Sequence, residues 1–319
     1  MTQQRRERLI GTASALLFGL AAASLAAVLA PLGWPLELFA HFRWQLAAAA
    51  VVAWVAAIVL RHRSLVVLAV LATLLQAVPP MRALRERAAV NPAPSQCRGP
   101  AFTVATLNLE YSNDDRQRAI AWLAANPADV VVLQEVTEAW ARAIGTGLPA
   151  YAYSRILTRE DPYGIALLSR RPFVQVRAAD LAHDGLPSIV ATVSIAGRPV
   201  QVLGLHTHWP ITPRLYRSRN RALTDAAAIT RSARIPSVLA GDLNLTPYAP
   251  TFGRLLASSG LRNAMAGQAW QPTWEADFWP LALPIDHVLV PSTSCVTYTE
   301  VGPDVGSDHR PVRVTLRLR

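Results

Sequence analysis

Lysine is absent. All 31 basic residues of the 319-residue chain are arginine, set against 21 acids for a net charge of +10. The excess is uneven. Residues 1–100 hold ten Arg and three Glu, +7, whereas residues 101–319 hold 21 Arg and 18 acids, +3. A nucleic-acid footprint should lie on the binding domain itself, so the high charge is weak evidence for such binding by the larger part. Cysteine is scarce. Cys97 and Cys295 stand far apart with no CxxC, and the histidines show no HExxH spacing, which disfavours a zinc site. No internal repeat and no low-complexity segment follows residue 100.

The first third is instead rich in long apolar runs. Leu9 to Ala30 is almost wholly apolar or small, long enough to cross a hydrocarbon core of about 30 Å. Leu38 to Leu60 is a second candidate span, with His41, Arg43 and Gln45 near one end, where they can reach the interface. Leu65 to Val78 is a third, short against the roughly 20 residues a span needs and stopped by Pro79 and Pro80. A cleaved signal peptide is the competing reading of the first run, but the run is too long and two more follow. "RRER" before the first span and "RHR" after the second should stay cytoplasmic, and "PLGWPLELF" carries no positive charge. Three spans then put the rest of the chain outside the cytoplasm. Two would reverse it, and the basic "MRALRER" argues against export. The expected organisation is a transmembrane region over 1–80, a linker over 81–100 and a soluble domain over 101–319.

Within that domain, "FTVATLN", "PADVVVLQE", "GIALLSRRP", "PSVLAGDLN", "PIDHVLVP", "CVTYTEV" and "PVRVTLRL" read as strands, and "PSIVATVSIAGRPVQVLGLH" as a hairpin turning at Ala196-Gly197. "RQRAIAWLAAN" and "RNRALTDAAAITRSA" read as helices. Many strands with few helices between them predict an α+β fold, a two-sheet sandwich flanked by helices. Asn108, Glu135, His206, Asp242, Asn244, Asp286, Asp308 and His309 each stand at or beside a strand end. Singly, each has a plain explanation as turn former, cap, solvated acid or hydrogen-bonded core histidine. Together they point to one rim, because loops of a sandwich cluster at the ends of its sheets.

In the order "TLNLE", "VVLQE", "LGLHTHWP", "AGDLN", "PTWE", "PIDHVLV" and "GSDHRPV", residues 101–319 resemble the endonuclease/exonuclease/phosphatase superfamily, and the whole chain a membrane-anchored bacterial member of it. The resemblance implies metal-dependent hydrolysis of a phosphate ester. A divalent ion neutralises charge on the phosphoryl oxygens, and hard oxygen ligands suit Mg²⁺, with Mn²⁺ as substitute. Glu135 is the first expected ligand, with Asn108, Asp308 and Glu110 as further candidates. By the same resemblance His309 is the general base, Asp286 orients it, and Asp242 and Asn244 position nucleophile and phosphate. His206 donates to a phosphoryl oxygen or assists the leaving group, with His208 as the alternative. His287 should point away from Asp286, as strand neighbours do.

The substrate stays open between nucleic acid and a phospholipid or phosphorylated small molecule. Trp209, Trp270, Phe278 and Trp279 can stack on bases, touch lipid or cover a core, and Trp274 is expected to pack in core or loop. Arg214, Arg217, Arg219 and Arg221 read as a solvated helix face or as phosphate contacts. An idle binding or scaffolding role in the envelope is the alternative function, disfavoured by the complete acid, amide and imidazole set. The partners implied are the lipid bilayer and the phosphate ester, and no protein partner is inferable. The place implied is the bacterial inner membrane, multi-pass, with the catalytic domain outside. In such a sandwich the first and last strands should lie close. Cys97 and Cys295 then come within disulfide range, and the alternative is two unrelated thiols.

Overall fold

The computed structural model describes residues 3–59, 61, 63–90, 97–268 and 270–318. They form two compact units, Met1–Arg85 with Pro247–Pro250, and Glu86–Thr246 with Thr251–Arg319.

The first unit is helical: α1 (Gln3–Val28), α2 (Leu36–His41), α3 (Arg43–Val59) and α4 (Arg63–Val90). Only the stretch Ile10–Val28 of α1 is both long and apolar enough to cross a membrane, among the described residues. Arg43–Val59 and Arg63–Gln76 are apolar but shorter. Three expectations need correcting. The second apolar run is not one helix, because the chain breaks at Phe42 between α2 and α3. The third does not stop at Pro79, since α4 continues to Val90 and residues 81–90 of the expected linker are helical. Residues 91–96 of that linker lie outside the described part. Finally, His41, Arg43 and Gln45 are buried within the unit. Arg43 donates to Ala27 O (2.7 Å) in the last turn of α1 and to Gln76 Oε1 (3.2 Å) on α4, while Gln76 donates to Ser24 O (3.2 Å). The last carbonyls of a helix lack intrahelical partners, and the guanidinium supplies one.

The second unit is the expected sandwich. One sheet runs β11-β12-β1-β2-β4-β3 and the other β5-β6-β7-β8-β10-β9. In the first, β1 is Ala101–Asn108, β2 Val130–Gln134, β3 Tyr153–Leu157, β4 Ile165–Ser169, β11 Cys295–Val301 and β12 Val312–Arg317. In the second, β5 is Phe173–Asp180, β6 Pro187–Ile195, β7 Arg198–His206, β8 Ser237–Asp242, β9 Leu261–Asn263 and β10 Asp286–Pro291. β6 and β7 form the hairpin, turning at Ala196 and Gly197, both with positive φ. Strand alternation divides the core. Val104, Val130 and Val132 face the other sheet's Val202, Val238 and Val288. Val131 and Leu133 face Trp122, Leu123, Trp140 and Ile144 of the helices α5 (Arg116–Ala125) and α6 (Glu138–Gly147). β2 is thus buried on both faces, which explains its unbroken apolar run. Two further helices are α7 (Pro213–Ser232), whose Leu223, Ala226 and Ala227 are buried, and α8 (Pro250–Ser259).

Cys97 and Cys295 are disulfide-bonded, with their Cα atoms 5.7 Å apart. The pairing follows from β12, which lies between β1 and β11. Arg317 is the register partner of both Ala101 and Cys295.

Gly241, next to last in β8, has φ +146°, and a Cβ there would meet Leu205 O of β7 at 1.8 Å. Gly241→Ala is expected to destabilise the purified protein by about 2–3 kcal/mol. Thermal unfolding in detergent reads this as a lowered midpoint, and an unchanged midpoint contradicts the tight β7–β8 contact.

Candidate active site

Strand register builds the site. β7 and β8 are parallel and end together, His206 beside Asp242. β10 runs antiparallel to β8, so its first residue, Asp286, stands directly opposite Asp242. In the other sheet β1 and β2 are parallel and end together at Asn108 and Gln134, and Glu135 follows. The segment before β12 carries Asp308 and His309 to the same rim. Ser307 fastens it, donating to Asn108 O (2.8 Å) and accepting from the His309 N–H (3.0 Å).

His309 Nδ1 lies 2.8 Å from Asp286 Oδ2, and its Nε2 faces Asp242 Oδ2 at 3.8 Å. His206 Nε2 lies 3.5 Å from that same oxygen. All four residues are buried. Burial disfavours a charged imidazole at His309, but Asp286, then Asp242 and Asp308, outweigh it and push its pKa up to about 10. The opposite holds at His206, where burial first and the positive His309 second press the pKa down to about 3, so that ring is neutral. Burial and then Asp286 push the Asp242 carboxyl up. At Asp286 burial works against the charge, yet His309 holds the carboxyl below its ordinary range.

A second acid group lies beside the first. Glu135, in the left-handed region (φ 60°), accepts from Tyr111 N–H (2.8 Å) and from Asn108 Nδ2 (2.9 Å). Burial raises its pKa above the usual carboxylate value. The Asp308 N–H donates to Glu110 Oε2 (3.1 Å), and Trp274 Nε1–H donates to Asp308 Oδ2 (3.0 Å). Glu110, Glu135 and Asp308 line one cleft of about 340 Å³ together with His206, Asp242, Asn244 and His309, and no arginine among the described residues lines it.

Two places for a cation therefore present themselves. The donor atoms of Asp242, Asp286 and His309 lie within 4.8 Å of one another. In that trio, however, the imidazole already supplies a positive charge and Nδ1 is spent on Asp286. Glu110, Glu135 and Asp308 offer three hard carboxylates against one nearby cation, His309 Nε2 at 4.0 Å from Asp308 Oδ1, which fits Mg²⁺. Asn108 braces the acids. Its Nδ2 bridges Glu135 Oε1 (2.9 Å) and Asp242 Oδ2 (3.2 Å), and its Oδ1 accepts from the Glu110 N–H (3.0 Å). Reversed, the carbonyl oxygen would face two carboxylates.

The remaining expected residues fall on both sides of the cleft wall. Asn244 (φ 45°) gives its N–H to Asp242 Oδ1 (2.8 Å) and its amide to Thr207 O (2.8 Å). His208 does not line the cleft. Its Nδ1 meets Tyr163 OH (2.9 Å) and its Nε2 meets Asp184 Oδ2 (3.0 Å). His287 turns to Leu245 O (2.7 Å), on the face away from Asp286. Trp274 is no plain packing residue. It lines the cleft, holds Asp308 and stacks edge-on against Trp209 at 5.3 Å between centroids. Arg214, Arg217 and Arg221 are exposed, but Arg219 is fully buried and donates to Asn244 O (3.1 Å). Sequence reading did not single out Ser307, Tyr111 or Tyr163. Serine and tyrosine beside turns carry no acid–base signature, and only the fold brings them in.

Residues 105–309, more than half of the chain, match the model of the Endonuclease/Exonuclease/phosphatase family. No curated protein matches the sequence. Among solved structures the chain is similar to an endonuclease/exonuclease/phosphatase family protein from Bacteroides thetaiotaomicron (TM-score 0.59, 20% identity, 70% of this chain and 99% of that one). It is also similar to a humanized D. rerio TDP2 (0.57, 19%, 68% and 99%) and to sphingomyelinase C from Streptomyces griseocarneus (0.53, 19%, 68% and 99%). At these identities the likeness is one of fold.

The bracing role of Asn108 has a measurable consequence. Asn108→Ala leaves Glu135 and Asp242 facing each other without a bridge. Turnover is expected to fall about tenfold to a hundredfold, the range for residues that orient ligands. Turnover within about twofold of wild type would show that the acids hold themselves.

Proposed function

The chain belongs to the endonuclease/exonuclease/phosphatase family, whose members are metal-dependent phosphoester hydrolases, and on that footing we propose that it is a membrane-tethered, Mg²⁺-dependent hydrolase using a water activated by His309 and Asp286. The observation that carries this reading is the Asp286–His309 bond set at the edge of a cleft where Glu110, Glu135 and Asp308 gather.

Glu135 and Asp308, with Glu110 beside them, would hold the metal. When bound, it neutralises charge on the phosphoryl oxygens and offsets the pull of the acids on His309. The protein's own groups do the rest. His309, without its resting proton once the pull of the acids is offset, takes the proton of the attacking water at Nε2, and Asp286 holds the ring by Nδ1 and stabilises the imidazolium. Asp242, fixed by Asn244 and Asn108, orients that water. His206, kept neutral by burial, donates its Nε2–H to a phosphoryl oxygen. The aromatic cleft wall and the lack of arginine in the lining favour a substrate held by stacking or apolar contact around one phosphate over a long polyanion.

We further propose that the helical unit crosses the membrane three times with the catalytic unit outside. The apolar helix at Ile10–Val28 supports a membrane anchor, and the Cys97–Cys295 bridge, which suits an oxidising compartment, supports the outside placement. The bridge closes a separation of 198 residues, for which the chain-entropy account suggests about 5 kcal/mol.

The function is tested with purified full-length protein in detergent on plasmid DNA, RNA, phospholipids, inositol phosphates and bis(4-nitrophenyl) phosphate. Hydrolysis should vanish with EDTA and return with Mg²⁺ or Mn²⁺, and His309→Ala and Glu135→Ala should each cost at least about a hundredfold. Recovery with Zn²⁺ alone, or near-wild-type turnover in either folded variant, contradicts the mechanism. For topology, mass spectrometry of non-reduced protein from intact cells should return a linked Cys97–Cys295 peptide. Two free, alkylatable thiols speak against the outside placement.

A further inference from the structure

The hydrolysis has two ends, and the groups so far described serve one of them. His309 accepts the proton of the incoming water, but a departing alkoxide also needs a proton. His206 cannot supply it, because a neutral imidazole gives up its N–H far too reluctantly to act as an acid at neutral pH. Asp242 lies beside His309 Nε2 at the incoming end, held by N–H bonds from Asn244 on one oxygen and from Asn108 on the other.

Behind the cleft wall stands a second acid–imidazole pair. Tyr163, on the loop between β3 and β4, lines the cleft, and its ring lies 5.5 Å from that of His206. Its hydroxyl meets His208 Nδ1 at 2.9 Å, and His208 Nε2 meets Asp184 Oδ2 at 3.0 Å. Asp184 comes from the β5–β6 loop and is fixed by Ser218 Oγ and by its own acceptance of the Leu186 N–H (3.3 Å). The side chains of His208 and Asp184 are only 14% and 20% exposed, so this pair is set into the wall. Burial, followed by the surrounding acids, raises the Tyr163 pKa, so the residue is a phenol and carries a proton. Along the rim the order of contacts runs His309, Asp242, His206, Tyr163. In-line displacement needs attack and departure on opposite sides of phosphorus, and in this row two residues separate Tyr163 from His309.

We propose that Tyr163 is the general acid for the leaving group and that His208 and Asp184 are positioning residues that resupply its proton. The proposal rests on the phosphoester reading above. As water adds to phosphorus its proton passes to His309 Nε2. The P–O bond to the leaving group breaks with its electron pair on the leaving oxygen, which takes the Tyr163 proton. The phenolate takes a proton from His208 Nδ1, while Asp184 holds the other ring nitrogen. One proton then sits on His309 in excess and one is missing at His208, and exchange with solvent restores both.

The test is leaving-group dependence, which a structural role would not move. Full-length protein with Mg²⁺ is given 4-nitrophenyl methyl phosphate, whose leaving group departs without help, and benzyl methyl phosphate, whose alkoxide needs a proton. Tyr163→Phe, which keeps the ring against His206, should lower kcat on the benzyl ester at least about tenfold more than on the nitrophenyl ester. His208→Gln and Asp184→Asn should show the same bias, the latter more weakly. If those two fail to fold, Tyr163→Phe alone decides. Equal loss on both esters, or a change confined to KM, overturns the relay while leaving the hydrolase intact. A folded wild-type protein inactive on both overturns relay and hydrolase together.

Discussion

Two strands that run parallel end at the same edge, and the site depends on that constraint. Each sheet contains one parallel pair among its described strands, β1 with β2 and β7 with β8. Each pair needs a crossover, which α5 and α7 supply. The strand ends then coincide, Asn108 with Gln134 and His206 with Asp242. The antiparallel neighbours, β12 and β10, begin where these end, so His309 arrives just before one and Asp286 opens the other. Six residues spread over about two hundred positions meet at one rim without any long excursion of the chain.

The chemistry of that rim is a matter of unequal neutralisation. Asp242 and Asp286 share the imidazole of His309, and the two carboxylates together raise it despite burial. Glu135, Asp308 and Glu110 are held by N–H groups, among them the amide of Asn108 and the indole of Trp274, and by the Ser112 hydroxyl, with His309 Nε2 4.0 Å from Asp308. The first group is satisfied by a proton and the second is not. Holding that second group costs conformational strain as well. Seven described non-glycine residues have positive φ, and three of them, Glu110, Glu135 and Asn244, line the cleft. Strain gathered at such a place is expected where a site is held ready for a ligand.

Much of this was legible because the polar residues stand at the ends of apolar strands, a pattern that survives without knowledge of contacts. The sandwich, the 196–197 turn and the grouping of Asn108, Glu135, His206, Asp242, Asp286 and His309 all follow from it. The edge strands β3 and β5 were not legible, for their outer positions are exposed and their alternation is lost. Helix α6 carried a signal that went unread, since Thr137 caps Trp140 N–H. The choice between His206 and His208 turned on side-chain direction, and the orientation of the Asn108 amide on its neighbours' charge. Neither is written in spacing. In the helical unit, Arg43 inside an apolar run suggested an interface residue, yet carbonyls of α1 and Gln76 of α4 take it inward.

The central claim is that the cation belongs to the Glu135 side of the rim and the proton to the Asp286 side. Binding of Mn²⁺ to the full-length protein, followed by electron paramagnetic resonance without any substrate, separates the two. One bound Mn²⁺ that is lost in Glu135→Gln and kept in Asp286→Asn is the predicted result. Binding that survives Glu135→Gln and disappears in Asp286→Asn would contradict the account.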